Sequence, residues 1–246
     1  MTDRQTLRLD KILAHMGKAS RREIKHIIKA NRVTVNGIIV RSPDMHIRLD
    51  HDRIELDGEP VVYREFIYLM LHKPSGVLSA TEDKFEKVVT ELLEKEHQVF
   101  APFPVGRLDK DTEGLLLLTN DGVLAHNLLS PKKHVDKTYF AKVDGLVTER
   151  DINSFAQGVT LDDGYRTMPA TLVVLKSAIQ SEVEVTIQEG KFHQVKRMFA
   201  AVGKNVLYLK RLSMGPLLLD PLLAPGNYRE LWPEEIEALE KIKKGE

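Results

Sequence analysis

The chain of 246 residues contains no cysteine. That excludes a disulfide scaffold, a thiolate metal site, an iron–sulfur cluster and a cysteine nucleophile together. It fits a reducing cytoplasm. Aromatic residues are scarce, at 6%, with a single tryptophan. No apolar run approaches the roughly 20 residues a membrane helix needs, and the N-terminal string MTDRQTLRLDK lacks the apolar region of a signal peptide. Three catalytic fingerprints are missing as well: the Gly-x-x-x-x-Gly-Lys-Ser/Thr phosphate loop, the Gly-x-Gly-x-x-Gly dinucleotide turn and the Gly-x-Ser-x-Gly elbow. No His-x-x-x-His pair occurs among the nine histidines, so zinc chemistry has no support.

Net charge is also missing, with 36 basic residues against 36 acidic ones, but it is not missing locally. Residues 1–41 hold ten Lys or Arg against three acids, and residues 191–211 hold six Lys or Arg and no acid. Residues 42–65 run the other way, with three Arg against seven acids. Segregated basic patches are what a phosphate backbone senses.

The first block reads as helix, helix, hairpin. Leu9, Ile12, Leu13 and Met16 fall at helical spacing, with Gly17 placed to end the turn. Ser20 and Glu23 have the spacing of a capping box. Behind them Ile24, Ile27 and Ile28 form an apolar stripe, and Arg21, Arg22, Lys25 and Lys29 form a basic face. Asn36-Gly37 and Asp57-Gly58 mark tight turns between short strands. Pro60 through Glu65 reads as a linker. Beyond it short strands (137–143, 170–174, 182–187, 206–210) mix with helices (88–95, 149–157, 195–202, 234–243) without strict alternation. This predicts an α+β fold on a mixed, largely antiparallel sheet: a small N-terminal module with its linker over residues 1–62, and a larger domain over 63–246, which the resemblance described below implies to be RNA-binding and catalytic respectively.

Two strings carry candidate chemistry. In the first, Gly106-Arg-Leu-Asp-Lys-Asp-Thr-Glu-Gly-Leu-Leu117, the acids Asp109, Asp111 and Glu113 precede an apolar strand. Their spacing starts like a calcium loop, but position twelve is Asn120 where a bidentate Glu is required, so calcium is rejected. A glycosidase pair would need two carboxylates facing each other across a sugar cleft, and nothing in the sequence indicates one. The second string, Glu189-Gly-Lys-Phe-His-Gln-Val-Lys-Arg-Met198, reads as a strand end, a glycine turn and a helix crowded with His193, Gln194, Lys196 and Arg197.

Taken with Leu71-His-Lys-Pro-Ser-Gly76 and Lys137-Thr-Tyr139, these strings resemble the RsuA-like family of ribosomal RNA pseudouridine synthases over nearly the whole chain. Residues 7–50 resemble the small RNA-binding module named after ribosomal protein S-four. The resemblance implies that Asp109 is the catalytic aspartate, that Tyr139 lies against the target ring and that Lys196 is the basic partner of the aspartate, with Arg197 as the adjacent alternative. It implies that Arg107 helps hold the flipped-out nucleotide. Lys73, His193, Gln194 and Arg197, with Arg21, Arg22 and Lys25 of the basic helix, are expected RNA contacts. The implied reaction needs no cofactor and no metal. The implied partner is ribosomal RNA, most nearly 16S, because His193-Gln194 resembles the small-subunit branch, whereas large-subunit branches tend to carry Asn-Arg. A cytoplasmic monomer with no membrane contact is expected. A large-subunit enzyme, or an RNA-binding assembly protein without catalysis, are the alternatives.

Overall fold

The computed structural model describes residues 6–244, so Asp3 and Arg4 of the basic N-terminal segment lie outside the described residues. The chain divides into two compact units.

The first unit spans residues 1–67 and takes in 94–101. Strand β1 (Thr6–Arg8) leads into helix α1 (Leu9–His15), followed by helix α2 (Arg21–Lys29). Ser20 caps α2 as its spacing predicts: its hydroxyl accepts from the Glu23 amide, and the Glu23 carboxylate accepts from the Ser20 amide at 2.9 Å. Such a cap is worth about 1 kcal/mol. The strands β2 (Val33–Val35), β3 (Ile38–Ile39), β4 (His46–Arg48), β5 (Ile54–Leu56) and β6 (Glu59–Val61) complete the unit, together with the one-turn helix α3 (Lys95–Gln98). Strand β4 pairs with β1, and the others form a sheet in the order β3-β2-β5-β6. Leu9, Ile12, Ile24, Ile28, Val33 and Ile47 fill the core with no exposure to solvent.

Here the sequence expectation of a linker from Pro60 is corrected, because Glu59–Val61 is a strand paired with β5. β6 is the edge of its sheet. An edge strand is where a residue without an N–H is tolerated, so proline does not break the pairing.

The second unit spans residues 68–93 and 102–246. It contains β7 (Tyr68–Lys73), β8 (Phe103–Pro104), β9 (Glu113–Thr119), helix α4 (Gly122–Leu129), β10 (Lys137–Asp144), α5 (Glu149–Gln157), β11 (Thr171–Lys176), β12 (Gln180–Ile187), α6 (Gln194–Ala201), β13 (Asn205–Met214), β14 (Leu217–Leu218), β15 (Tyr228–Glu230) and α7 (Pro233–Lys244). Nine strands form one sheet along the path β11-β12-β10-β13-β9-β7-β15, with β14 on β13 and β8 on β9. Every pairing is antiparallel except β13 with β9. The mixed, largely antiparallel sheet of the sequence reading is therefore present.

Two helical expectations needed adjustment. The segment expected as a helix over 88–95 is a single 3₁₀ turn, Val89–Leu92, with α3 following it. Helix α4 was not anticipated, although Asp121 caps it, accepting from the amides of Val123 and Leu124, and Leu124, Ala125 and Leu128 form its buried stripe. That stripe packs with Leu115 and Leu117 of β9 and Leu239 of α7.

The parallel contact of β9 with β13 depends on Gly114. Its φ is +106°, and a Cβ there would lie 2.3 Å from the Arg211 carbonyl oxygen. Any side chain would push β13 away from β9, which begins four residues after Asp109.

Candidate active site

The loop from Arg107 to Thr112 carries Asp109 and is fastened from beneath by Lys73. This lysine ends β7 and is 0% exposed. Its ammonium is ringed by the carbonyl oxygens of Pro74 (3.0 Å), Asp109 (3.1 Å), Lys110 (3.2 Å) and Thr112 (2.9 Å). Burial pushes its pKa down to about 8, against the upward pull of Asp111, Asp109 and Glu113. Two further ties hold the loop. Ser79 Oγ donates to the Leu108 carbonyl at 2.9 Å and accepts from the Leu108 amide at 3.0 Å. The Gly76 amide donates to the Lys110 carbonyl at 2.8 Å. The expectation that Lys73 contacts RNA is corrected: its amine is enclosed by backbone and has a structural task.

Helix α6 supplies the cation that faces Asp109. Lys196 Nζ lies 3.0 Å from Asp109 Oδ2 and 2.6 Å from Asp111 Oδ1. Partial burial works against the ammonium, but its hydrogen bonds to Asp111 and Asp109 outweigh that and raise its pKa. The hydrogen bond from Lys196 holds the Asp111 carboxyl below its ordinary range. His193 Nε2 is 3.5 Å from Asp109 Oδ1. The adjacent Arg197 turns elsewhere: its Nε donates to Asp162 Oδ1 at 2.6 Å and its Nη2 pairs with Asp163 Oδ2 at 2.7 Å. The choice between neighbouring cations is thereby resolved in favour of Lys196 as the partner of Asp109.

Tyr139 lies on β10 and is 7% exposed. It lines one pocket with Arg107, Asp109, Lys191 and His193. Asp109 and Lys191, 30 and 52 residues away from Tyr139 in sequence, are thus brought to the same cavity. Arg107 is exposed at its rim.

Gln194 lines the same pocket. It is buried, its Oε1 accepts from the Lys191 amide at 2.8 Å, and its Nε2 donates to Glu189 Oε1 at 2.7 Å. Those bonds use the amide to shape the Glu189–His193 turn. Glu189 also accepts from the Met168 amide and the Tyr165 hydroxyl. In the sequence Glu189 shows no task of its own, and Asp162 and Asp163 do not stand out. The Asp162-Asp163-Gly164 turn signal was visible, but its pairing with Arg197 spans 34 residues and leaves no local mark. Arg21, Arg22 and Lys25 lie exposed on α2 in the first unit. Among the described residues no group of three or more His, Cys, Asp or Glu is arranged to hold a metal ion, and no helix is long and apolar enough to cross a membrane.

With this geometry in place, comparison with known proteins is direct. Residues 67–201 match the family described as RNA pseudouridylate synthase, and residues 7–54 match the S4 domain. The chain is 52% identical to the uncharacterized RNA pseudouridine synthase YtzG of Bacillus subtilis (strain 168), over 95% of this chain and 98% of that one. It is 42% identical to ribosomal large subunit pseudouridine synthase B of the same organism, over 96% of each chain. It is 40% identical to ribosomal small subunit pseudouridine synthase A of Escherichia coli (strain K12), over 95% of this chain and all of that one. A crystal structure of a pseudouridylate synthase superposes with a TM-score of 0.66 at 37% identity, covering 95% of this chain and 99% of the other. The chain belongs to the RNA pseudouridylate synthase family and carries an S4 domain at its N-terminal end.

Proposed function

We propose that this protein converts one uridine of 16S ribosomal RNA to pseudouridine, with Asp109 as the catalytic carboxylate, residues 1–62 binding RNA and residues 63–246 carrying the chemistry. The observation that carries the reading is that Asp109, paired with Lys196 at 3.0 Å, lines one pocket with Tyr139.

The reaction breaks the bond between ribose C1′ and uracil N1, turns the freed ring and joins C1′ to C5. The C5 proton leaves, N1 gains a proton, and no electrons are exchanged, so the reaction itself calls for no redox cofactor. Asp109 attacks C1′ or assists removal of the neighbouring ribose proton. Lys196 keeps a positive charge beside that carboxylate. Tyr139 offers a ring to stack on uracil and a hydroxyl able to move a proton. The uridine must leave its stack to reach the pocket, at a cost of a few kcal/mol, and Arg107 at the rim supports the displaced backbone. The exposed cations Arg21, Arg22 and Lys25 provide salt-sensitive attraction to phosphates.

Relatives acting on both subunits are nearly equal in identity, so the substrate assignment rests on the site. His193, part of the His-Gln pair that resembles the small-subunit branch, stands 3.5 Å from Asp109. The test is chemical mapping of pseudouridine in 16S and 23S ribosomal RNA from a deletion strain and its complemented parent. Loss of one 16S site on deletion is expected. A lost 23S site instead would move the substrate to the large subunit, and no lost site in either RNA would leave an RNA-binding assembly protein.

A further inference from the structure

The reading above leaves Phe192 without a task. This side chain is 76% exposed. A single exposed aromatic needs no explanation, but three observations set this one apart. Its ring is stacked on the His193 imidazole, with centroids 3.8 Å apart and planes 19° from parallel, and that imidazole is the one 3.5 Å from Asp109. Its chain neighbours Lys191 and His193 both line the pocket that holds Asp109 and Tyr139. The turn beneath it is rigidly tied. Gln194 bonds Lys191 and Glu189, and His193 is held at φ +48°, a region few residues other than glycine adopt. Arg197, itself anchored by Asp162 and Asp163, donates to the Phe192 carbonyl at 3.5 Å.

We propose that Phe192 is a stacking platform for the nucleobase next to the target uridine in the substrate RNA. The proposal rests on the pseudouridine synthase reading and deepens it. When a uridine is turned out, its neighbour loses a stacking partner. A preorganised aromatic face one side chain away from Asp109 supplies another. Because phenylalanine has no hydrogen-bonding group, it recognises the flat face of a base and not its edge, so the contact tolerates any base identity.

The experiment compares full-length wild type, Phe192→Leu and Phe192→Tyr on an in vitro 16S ribosomal RNA transcript, by filter binding across a salt series and by tritium release from 5-tritiated uridine. Phe192→Leu is expected to weaken binding and raise KM about tenfold while kcat changes by less than about threefold, and Phe192→Tyr is expected to match wild type. The slope of log Kd against log salt should not move, because no cation is lost. The melting temperature should also hold, since the ring is exposed. Unchanged binding by Phe192→Leu overturns the proposal, and so does a reduced salt slope. A third overturning result is disappearance of the Phe192→Leu effect in a His193→Ala background, which would mean that Phe192 only props His193. A wild type that binds but does not release tritium refutes the underlying reading, while the binding comparison still decides the role of Phe192. A wild type that does not bind the RNA overturns both.

Discussion

Arg21, Arg22 and Lys25 on α2 stand in solvent and make no salt bridge among the described residues. Lys196, Arg197 and Lys204 of the larger unit each hold carboxylates, at 2.6 to 3.0 Å for Lys196, 2.7 Å for Arg197 with Asp163 and 2.8 Å for Lys204 with Asp151. The two regions use the same residue types for different ends. Unpaired, hydrated cations attract any polyanion and lose that attraction as salt rises. Paired cations have spent their charge inside the protein and fix geometry instead. On this contrast, salt-dependent attraction to RNA is expected mainly from the first unit and turnover from the second.

The largest expected effect tests the second half of that division. Asp109→Ala should lower turnover by roughly 10⁴-fold or more, as loss of a central catalytic group does, while RNA affinity is expected to stay within about threefold because a carboxylate contributes no attraction to phosphates. Tritium release and filter binding on one preparation check both statements. Substantial turnover by the purified variant would break the comparison at its strongest point.

Tyr139→Phe comes next. It keeps the ring, and with it most of the packing, and removes only the hydroxyl. A loss of roughly 10²–10⁴-fold in single-turnover rate is expected if the hydroxyl moves a proton. A near-normal rate at an unchanged melting temperature would make Tyr139 a packing residue of β10.

Much of this arrangement was legible in the sequence, and the reasons differ by region. The capping box at Ser20, the Asn36-Gly37 turn and the apolar run of β9 are local signals, each contained within a few residues. They appear in the structure where the spacing put them. The task of Lys73 had no such signal, because its four carbonyl partners include three that lie 36 to 39 residues away. A lysine in a basic-looking loop motif reads as a surface contact until the fold is known. The parallel pairing of β9 with β13 was equally silent, since its requirement is the bare Gly114 facing the Arg211 carbonyl. For the same reason the choice between Lys196 and Arg197 needed the Asp162–Asp163 turn.

The third prediction sharpens the idea that the larger unit buries its charge at a cost. Lys137 is 5% exposed and donates to the Val135 carbonyl at 2.8 Å. Burial, and then the charge of Arg211, push its pKa down to about 8 from 10.5. Between those two values the unfolded chain holds more protons than the folded one, so this residue makes wild-type stability rise with pH across that window. Relative to Lys137→Met, the wild type should gain up to about 3 kcal/mol of unfolding free energy from pH 8 to 10.5. Urea titrations of both proteins across the window measure it. A constant difference would show that the ammonium is not penalised.

The smallest effect tests the first unit. Replacing Arg21, Arg22 and Lys25 together with Gln should weaken RNA binding by about 10- to 100-fold at low salt and lower the salt slope by roughly 2 to 3. Turnover at saturating RNA should change little. An unaltered slope would make this helix face a plain solvated surface and remove the first unit from the division of labour.

The carbonyl ring around Lys73 has a dynamic consequence. Swinging the Asp109 loop outward would break the bonds from the Lys73 ammonium to the carbonyls of Asp109, Lys110 and Thr112 at once. Amide hydrogen exchange at Leu108 and Thr112 should then follow global unfolding and not a local opening. If exchange there proves global, the adjustment on binding is expected to fall to the RNA. On that outcome, selection between uridines is expected to lie in the deformability of the nucleic acid around each one.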